Sequence, residues 1–304
     1  MMKISIIVYC YNESDNLEKF HYNLSEVVRN LETDYEIIYI DDGSEDTTFV
    51  VMQVLAQHSA HVKYISLSRH FGRNGAVCAG LEHAKGDAMV VMDGNFSHPP
   101  YVIHDLVGEY KKGFHQVIAK NQNQKCSQKS IEQRILSKFI NYSILDRESD
   151  YRLLSRRATN AILSMPESNR FSNGLYEWIG FKSREISFVL TSRIVKKEIK
   201  VSRLKIVSNM LENILCYNTR PLRMLTKLGI ILSSLGLLYF ICSLFMVVIF
   251  GERIPGHFTI MSGIILFCGI QLVMVALIGE YIGKIYYETK RRPHYIVQET
   301  NYEE

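Results

Sequence analysis

The chain has 304 residues, 47% of them hydrophobic. This length fits one α/β domain together with a membrane part and leaves no comfortable room for a second independent soluble domain. The six cysteines are scattered without CxxC spacing, which argues against a disulfide framework and against a zinc site. The formal net charge is +4, and the basic excess lies at residues 184–227 beside an apolar segment, which favours a lipid bilayer over nucleic acid as the partner.

Short apolar segments alternate with longer segments of helical periodicity through the first 120 residues. This alternation predicts an α/β fold with a mostly parallel sheet and covering helices. The predicted strands are Ile4–Val8, Tyr35–Ile40, Val62–Leu67, Ala88–Met92 and Gln116–Ala119. The predicted helices are Asn16–Asn30, Thr47–Gln57, Gly75–Ala84 and Tyr101–Lys111. Ligands of such sheets bind beyond the carboxyl ends of the strands, so the residues after each strand are the first candidates for a site.

Three of these strand ends carry polar or aromatic side chains, namely Tyr11 and Glu13, then Asp41 and Asp42, then Asp93 and Asn95. One such cluster is ordinary turn chemistry, but three at the same sheet edge indicate a site. The sequence contains neither GxGxxG after the first strand nor a GxxxxGK[ST] phosphate loop. Carboxylates near a nucleotide diphosphate require a divalent cation between them, so Asp93 and Asn95 predict a site for Mg²⁺ or Mn²⁺. Asp41 and Asp42 are then expected to face ribose hydroxyls or a base N–H.

Two later segments, Leu228–Phe250 and Phe258–Gly279, are long and apolar enough to predict two membrane-crossing helices. Cations precede the first segment and follow the second, which predicts cytoplasmic termini. Residues 201–227 contain apolar positions at helical spacing, which indicates an amphipathic helix either in the membrane interface or packed on the soluble domain. No signal peptide is visible, so residues 1–200 are expected to form a cytoplasmic domain.

The last predicted region is a cytoplasmic tail, residues 280–304. Its final part, residues 298–304, is short and polar, and we expect it to be mobile. His70 and His98 follow strands but have no second ligand at metal spacing, so capping or packing roles are expected for both.

A set of motifs occurs in order along the chain: Tyr11-Asn12-Glu13, Asp41-Asp42-Gly43-Ser44, Ser68-Arg69-His70-Phe71-Gly72, His98-Pro99-Pro100, Asp150-Tyr151-Arg152-Leu153-Leu154, Arg220-Pro221-Leu222-Arg223 and Arg292-Pro293-His294-Tyr295. Together they resemble the family 2 glycosyltransferases of the GT-A fold, most closely the bactoprenol (undecaprenyl-phosphate) glucosyltransferases of O-antigen modification. The resemblance extends over nearly the whole chain. It implies inverting transfer of a hexose, with UDP-glucose as the expected nucleotide sugar, to undecaprenyl phosphate at the bacterial inner membrane. It also implies a homo-oligomer, expected to be a tetramer.

The same resemblance assigns roles to individual residues of this sequence. It implies nucleotide-sugar binding by Tyr11, Glu13, Asp41, Asp42 and Arg69, metal and diphosphate binding by Asp93 with Asn95, a reacting centre at Asp150 and Arg152, and contact with the acceptor phosphate by Arg193, Lys196 and Lys197. A lipid phosphate is already an anion, so the nucleophile needs positioning and charge screening more than deprotonation. Asp150 is therefore expected to orient Arg152 or the donor sugar rather than to act as a general base.

The sequence departs from the family pattern at several places. The metal motif, usually Asp-x-Asp, reads Asp93-Gly94-Asn95, and Asn binds Mg²⁺ less tightly than a carboxylate does. Tyr9 stands where relatives usually have Pro, without a clear chemical interpretation. Residues 120–134 and 194–200 also differ, which predicts altered substrate contacts or reduced activity.

Two other functions compete with this interpretation. A processive polysaccharide synthase is disfavoured because the chain lacks a QxxRW motif and has only two apolar segments for a polymer channel. A degenerate transferase that serves as a membrane scaffold or partner subunit stays open, because Asn95 and residues 120–134 depart from the family pattern.

Overall fold

The structure, a computed structural model, describes residues 2–31, 33–122, 150–165, 176, 178–190, 256–290 and 292–302, together with isolated positions between 238 and 249. The described residues belong to two compact units. The first unit contains those before position 200 and those after 291, and the second contains those between these limits. The predicted interfacial segment 201–227 and the candidate phosphate ligands Arg193, Lys196 and Lys197 lie outside the described residues.

The first unit contains eight described strands and five described helices. The strands are β1 (Lys3–Cys10), β2 (Asp34–Asp41), β3 (Val62–Leu67), β4 (Ala88–Asp93), β5 (Gln116–Asn121), β6 (Arg152–Ser155), β7 (Ser183–Phe188) and β8 (Val297–Thr300). The helices are α1 (Ser14–Arg29), α2 (Thr48–His58), α3 (Arg73–His83), α4 (Val102–Lys111) and α5 (Arg156–Leu163). All nine elements predicted within the first 120 residues are present, and their ends differ from the prediction by at most two residues.

The strands form one sheet in the order β7-β5-β6-β4-β1-β2-β3-β8. Strand β1 pairs in parallel with β2 on one side and with β4 on the other. The chain therefore leaves β1 toward one edge of the sheet and later returns to its other side. A reversal of this kind opens a crevice beyond the carboxyl ends of the central strands, so the residues after β1, β2 and β4 lie around one crevice.

The sheet is covered on both faces because the central strands are apolar on both sides. Ile4, Ile6 and Val8 of β1 are buried in the core beneath α1, α2 and α4. Ile7 of the same strand points to the opposite core, beneath α3 and α5. The alternation follows the two-residue period of a strand, and burial on both faces is typical of parallel strands in α/β proteins. The crevice is thus built on a rigid three-layer scaffold.

The sheet is less parallel than the sequence predicts, because β6 and β8 run antiparallel to their neighbours. β6 has only four residues, all of them buried. Such a short apolar segment carries no alternation that a sequence pattern can reveal. It lies between β4 and β5 and brings Arg152 beside Val91 at the crevice end of β4.

The prediction of a mobile C-terminal tail is wrong for the described residues. Val297–Thr300 form β8, which pairs with the edge strand β3. The segment is polar, but the unpaired N–H and C=O groups of an edge strand offer it backbone hydrogen bonds that do not depend on apolar side chains. Residues 292–302 therefore belong to the first unit, whereas residues 280–290 belong to the second.

The second unit contains the helix α6 (Gly256–Thr289). This helix includes all of the predicted second membrane segment, Phe258–Gly279, and extends ten residues past it through Glu280 and Lys284. Most of the predicted first membrane segment, Leu228–Phe250, lies outside the described residues. Within the part of the chain that the structure describes, no helix has both the length and the apolar character required to cross a bilayer. The predicted transmembrane hairpin is thus not shown by the structure.

Candidate active site

The turn after β2 is organised around the buried carboxylate of Asp42. Its Oδ1 accepts a hydrogen bond of 2.8 Å from the Phe71 backbone N–H, and its Oδ2 lies 2.9 Å from His70 Nδ1. The Tyr9 hydroxyl donates to the same Oδ2 at 3.3 Å. Burial raises the pKa of the Asp42 carboxyl, whereas these donors lower it in part. Asp42 thus ties the later part of the β3–α3 connection to the end of β2. We call Tyr9, Tyr11, Asp42, His70 and Phe71 the Asp42 cluster.

Glycine at position 43 allows this close approach. Gly43 has a φ of +68°, and a Cβ there would lie 2.7 Å from the His70 backbone nitrogen. A side chain would therefore be strained by the backbone and would also meet the neighbouring loop. The geometry explains why the Asp-Asp-Gly-Ser motif contains glycine at its third position.

The other residues after β1 and β2 shape the rim of the crevice. The Tyr11 ring lies on the His70 ring with a centroid distance of 4.3 Å. Asp41 is buried and accepts hydrogen bonds from Ser66 Oγ at 3.0 Å and from the Ser44 N–H at 3.2 Å. The backbone carbonyl of Glu13 accepts from the first turn of α1. The Tyr11 ring and Glu13 are partly exposed and His70 is exposed, whereas Asp41 is buried inside the protein.

A second group of charged side chains meets at the ends of β4 and β6. Arg73, the first residue of α3, donates from Nε to Asp93 Oδ1 at 2.8 Å, and its Nη1 lies 3.5 Å from Asp150 Oδ2. Burial alone would lower the pKa of the Arg73 guanidinium, but Asp93 and Asp150 raise it above its usual value. Arg73 is therefore a permanent cation between the two carboxylates on which the sequence analysis placed metal binding and the reacting centre.

Asp150 also approaches the second guanidinium of this group. Arg152 Nη2 lies 3.9 Å from Asp150 Oδ1, and the Arg152 guanidinium lies 3.7 Å from the centre of the Tyr176 ring. Arg152 is almost fully buried, whereas the Asp150 side chain is 46% exposed. Arg152 is therefore held in place by its surroundings, whereas the Asp150 carboxylate is accessible to a ligand. We call Arg73, Asp93, Asp150, Arg152 and Tyr176 the Arg73 cluster.

The Asp93-Gly94-Asn95 turn is held tightly against β1. The Gly94 N–H donates to the Tyr9 carbonyl at 2.7 Å, and a Cβ on Gly94 would lie 2.6 Å from Cys10 Sγ. The Asp93 N–H donates to His98 Nδ1 at 2.9 Å, and the His98 ring stacks on Tyr151. His98 thus has the packing role that the sequence predicts. His70 also packs, on the Tyr11 ring, and it contacts Asp42 while half of its side chain is exposed.

The oxygen atoms of this turn are suited to a hard divalent cation. Asp93 offers a partly exposed carboxylate, and Asn95 offers an amide oxygen that accepts from the Ser97 N–H at 3.2 Å. Among the described residues, no group of three or more His, Cys, Asp or Glu side chains is placed to hold a metal. Mg²⁺ is commonly held by only one or two carboxylates together with substrate phosphates, so the donor set fits a metal that arrives with a diphosphate.

The sequence predicts Asp93, Asp150 and Arg152 as site residues but not Arg73. The structure places Arg73 between Asp93 and Asp150, and it places Arg152 near Asp150. Arg73 was overlooked because it comes one residue after the recognised motif that ends at Gly72. The exposed Arg69 guanidinium does not reach these carboxylates; it lies over the Phe71 ring at 4.1 Å.

Tyr9, which had no chemical interpretation in the sequence, joins the two clusters. Its hydroxyl donates to Asp42, and the Arg73 guanidinium lies 5.9 Å from the centre of its ring. Burial raises the pKa of the Tyr9 phenol, and the neighbouring Asp42 raises it further, so the group is a neutral donor.

Comparison with known proteins agrees with this architecture. The model of glycosyl transferase family 2 matches residues 5–166, and the model of the GtrB C-terminal hairpin matches residues 220–285. A Bacillus subtilis (strain 168) protein named as a glycosyltransferase, CsbB, is 39% identical, and the match covers 98% of this chain and 92% of that protein. The prophage bactoprenol glucosyl transferase homolog of Escherichia coli (strain K12) is 33% identical, with coverage of 98% and 99%. The resemblance inferred from the motifs is confirmed.

Solved structures support the fold. Glucosyl-3-phosphoglycerate synthase from Mycobacterium tuberculosis, crystallised with Mn²⁺, uridine diphosphate and phosphoglyceric acid, has a TM-score of 0.51 to this chain at 19% sequence identity. The similarity covers 70% of this chain and 76% of that protein. At this identity the likeness establishes the GT-A-like mixed α/β sheet with its helices, and the site chemistry must be argued from the residues themselves.

Proposed function

Because the chain belongs to glycosyl transferase family 2, we propose that it transfers a hexose from a nucleotide sugar to undecaprenyl phosphate at a membrane face. The observation that carries the proposal is the Arg73 cluster, in which two carboxylates and two guanidinium groups meet at the crevice end of β4 and β6. The positive charges of its guanidinium groups can attract both the diphosphate of the donor and the phosphate of the acceptor.

The Asp42 cluster is the proposed place for the nucleoside. Tyr11 supplies an aromatic face that is supported from behind by His70, and Glu13 supplies a carboxylate for ribose hydroxyls or a base N–H. The carboxylates of Asp41 and Asp42 are engaged by protein donors, so their proposed contribution is to fix the shape of this pocket. Exposed Arg69 is available to a phosphate on the same side.

Asp93 is the proposed ligand of Mg²⁺ or Mn²⁺, with Asn95 as a weaker second ligand. When bound, the cation supplies Lewis-acid stabilisation of the departing nucleotide diphosphate. Arg73 Nε lies 2.8 Å from Asp93 Oδ1, so the guanidinium places a positive charge beside the proposed metal ligand. We therefore propose that its guanidinium shares the charge of the leaving group.

Asp150 and Arg152 are the proposed reacting-centre pair. The nucleophile is an anionic phosphate oxygen, so the site must orient it and screen its charge, which needs no general base. Arg152 is held rigid by burial and by the Tyr176 ring, and Asp150 is exposed toward the crevice. This arrangement supports a role of Asp150 in orienting the donor sugar and of Arg152 in fixing Asp150. Arg193, Lys196 and Lys197 remain the proposed ligands of the acceptor phosphate.

A membrane location follows from the acceptor, because a phosphate on a polyprenyl chain stays at the bilayer surface. Three facts support it: the match to the GtrB C-terminal hairpin, the two long apolar segments of the sequence, and the exposed apolar side chains Ile260, Ile264, Phe267, Val275, Ile278 and Ile282 along α6. We propose a cytoplasmic domain of residues 1–200, an interfacial region, a hairpin inserted at 228–279 and a cytoplasmic end. The homo-oligomer stays a prediction.

The test is transfer of radiolabelled glucose from UDP-glucose to undecaprenyl phosphate by the purified full chain in detergent, with Mg²⁺, Mn²⁺ or EDTA. The expected result is metal-dependent label in the organic phase. Asn95 in place of a second carboxylate favours the degenerate scaffold as a second candidate. Absence of label with UDP-glucose, UDP-galactose, UDP-N-acetylglucosamine and GDP-mannose would favour that candidate. Binding of UDP without turnover would then show that the nucleotide site is intact but inactive.

A further inference from the structure

The C-terminal residues 292–302, here called the strap, are fastened along the β3 edge of the sheet. Thr300 and Glu299 pair with Ile65 and Ser66 in an antiparallel ladder. The Glu299 carboxylate accepts from Gln53 Nε2 at 2.9 Å and from the Tyr64 hydroxyl at 3.1 Å. Side chains and backbone both contribute, so the strap has a defined register on the sheet.

The preceding part of the strap leaves the sheet edge and packs on α3. The carbonyl of Ile296 accepts from the Ser68 N–H at 3.0 Å. The Tyr295 hydroxyl bonds Glu82 on α3, and a Cβ on Gly75 would lie 2.9 Å from the His294 carbonyl oxygen. The strap thus touches residues on both sides of the β3–α3 connection, the segment 68–72 that leads into Arg73.

The opposite side of this connection is held by the Asp42 cluster. Asp42 binds the Phe71 N–H and His70 Nδ1, and Gly43 packs against the Arg69–His70 backbone. The connection is therefore clamped between the end of β2 and the strap. Arg73 stands at its end and projects to Asp93 at 2.8 Å.

We propose that the strap is a positioning element for the donor site, in which His294 holds the first turn of α3 and Tyr295 its last turn, so that the helix and the Arg73 guanidinium at its start are fixed. The inference rests on the proposed function, because it assigns Arg73 to the diphosphate of a nucleotide sugar. Because the Asp42 cluster and the strap both hold the segment before Arg73, its guanidinium loses little conformational entropy when a diphosphate binds. Loosening the strap should therefore weaken binding of the nucleotide sugar and leave the rate of the transfer step largely unchanged.

The matched pair Gly75→Ala and Gly108→Ala tests this inference in the full chain in detergent. Both positions lie inside helices, where alanine is the better helix former. At Gly75 the new methyl would meet the strap carbonyl of His294 at 2.9 Å and, less closely, Phe71 Cβ at 3.1 Å, whereas a Cβ on Gly108 has no neighbour within 4 Å. Tyr295→Phe removes the hydroxyl that bonds Glu82 on α3, and Tyr64→Phe removes a strap contact far from α3 as its control.

Two readouts are needed, UDP-glucose kinetics and hydrogen exchange of the amides at 69–76. We expect Gly75→Ala and Tyr295→Phe to raise KM for UDP-glucose about fivefold to tenfold with kcat within about twofold, and to speed exchange at 69–76. Gly108→Ala and Tyr64→Phe are expected to match wild type. Wild-type exchange at 69–76 in Gly75→Ala, or an unchanged KM, would overturn the inference. If wild type binds no nucleotide, the proposed function fails, while the exchange data still decide whether the strap holds the connection.

Discussion

The two clusters on either side of Tyr9 use the same residue types in opposite ways. In the Asp42 cluster, the carboxylate is buried and is satisfied by a backbone N–H, a histidine and a phenol. In the Arg73 cluster, Asp93 and Asp150 are 20% and 46% exposed and pair with guanidinium groups. A carboxylate held by several fixed donors organises backbone, whereas a partly exposed ion pair contributes little stability and can exchange partners.

On the proposed function, this difference distinguishes a carboxylate that holds the backbone, Asp42, from two that take part in the reaction, Asp93 and Asp150. We expect a substrate diphosphate to compete with Asp93 and Asp150 for Arg73, because both carboxylates are partly exposed to solvent. A diphosphate should compete poorly for the donors of Asp42, because removing them would leave a buried carboxylate without hydrogen bonds and would destabilise the fold. The variants below should therefore lower activity with an intact fold in one cluster and lower stability in the other.

The largest effect is expected at Asp93. Asp93→Ala removes the proposed metal ligand and the anchor of Arg73, and we expect transfer to fall about 10³-fold. Circular dichroism and the thermal midpoint should stay close to wild type, since the carboxylate is partly exposed. Transfer assays with Mn²⁺ measure the loss. Activity within about tenfold of wild type would remove Asp93 from the reaction.

A smaller loss is expected at Arg73. Arg73→Ala should lower kcat/KM about 10²-fold, the usual cost of losing one charged donor to a leaving group. Arg73→Lys should recover part of this loss, because it keeps the charge and loses the two-sided geometry. The control is Arg29→Ala, in the exposed last turn of α1. Equal activity of the alanine and lysine variants would contradict a role for the charge.

Gly43→Ala tests the scaffold side. Alanine in the left-handed region is strained by about 1–2 kcal/mol, and at Gly43 its methyl would also meet the Arg69–His70 backbone. Gly113→Ala is the matched control, because Gly113 also has a positive φ but open space around its Cβ position. Denaturant unfolding should show a greater loss for Gly43→Ala by about 1–2 kcal/mol. Equal losses of unfolding free energy in the two variants would mean that the Gly43 turn and the Arg69–His70 backbone can move apart without cost.

The smallest effect is a pH dependence carried by Asp42. Burial raises the pKa of its folded carboxyl, although His70, Tyr9 and the Phe71 N–H oppose this rise. The stability from protonated Asp42 is complete below the unfolded pKa and is lost as the pH rises through the folded pKa. Asp42→Asn cannot ionise and should therefore reduce the fall of the thermal midpoint as the pH rises above about 4, the pKa of an unperturbed Asp. Asp34→Asn, at the exposed start of β2, controls for the lost charge; an unchanged slope in Asp42→Asn would refute the assignment.

Local patterns account for much of what the sequence predicted. Strands β1 to β5 and helices α1 to α4 follow from apolar segments of the right length and period, and their carboxyl ends pointed to Asp42 and Asp93. The strands β6, β7 and β8 were not predicted. β6 is too short to show a period, and β8 is polar and exists because β3 offers it an open edge.

The family, the parallel centre of the sheet and the carboxylates beyond its strand ends can be inferred from the sequence, because each depends on contiguous residues. The fold, by contrast, places Arg73 between Asp93 and Asp150, which are 57 positions apart in the chain, buries Asp42 among protein donors, and brings the strap to α3. The number of donors around a carboxylate, and its access to solvent, depend on residues distant in sequence. A contiguous motif therefore identifies an acidic residue, whereas the neighbours that pack around it set its pKa and its hydrogen bonds.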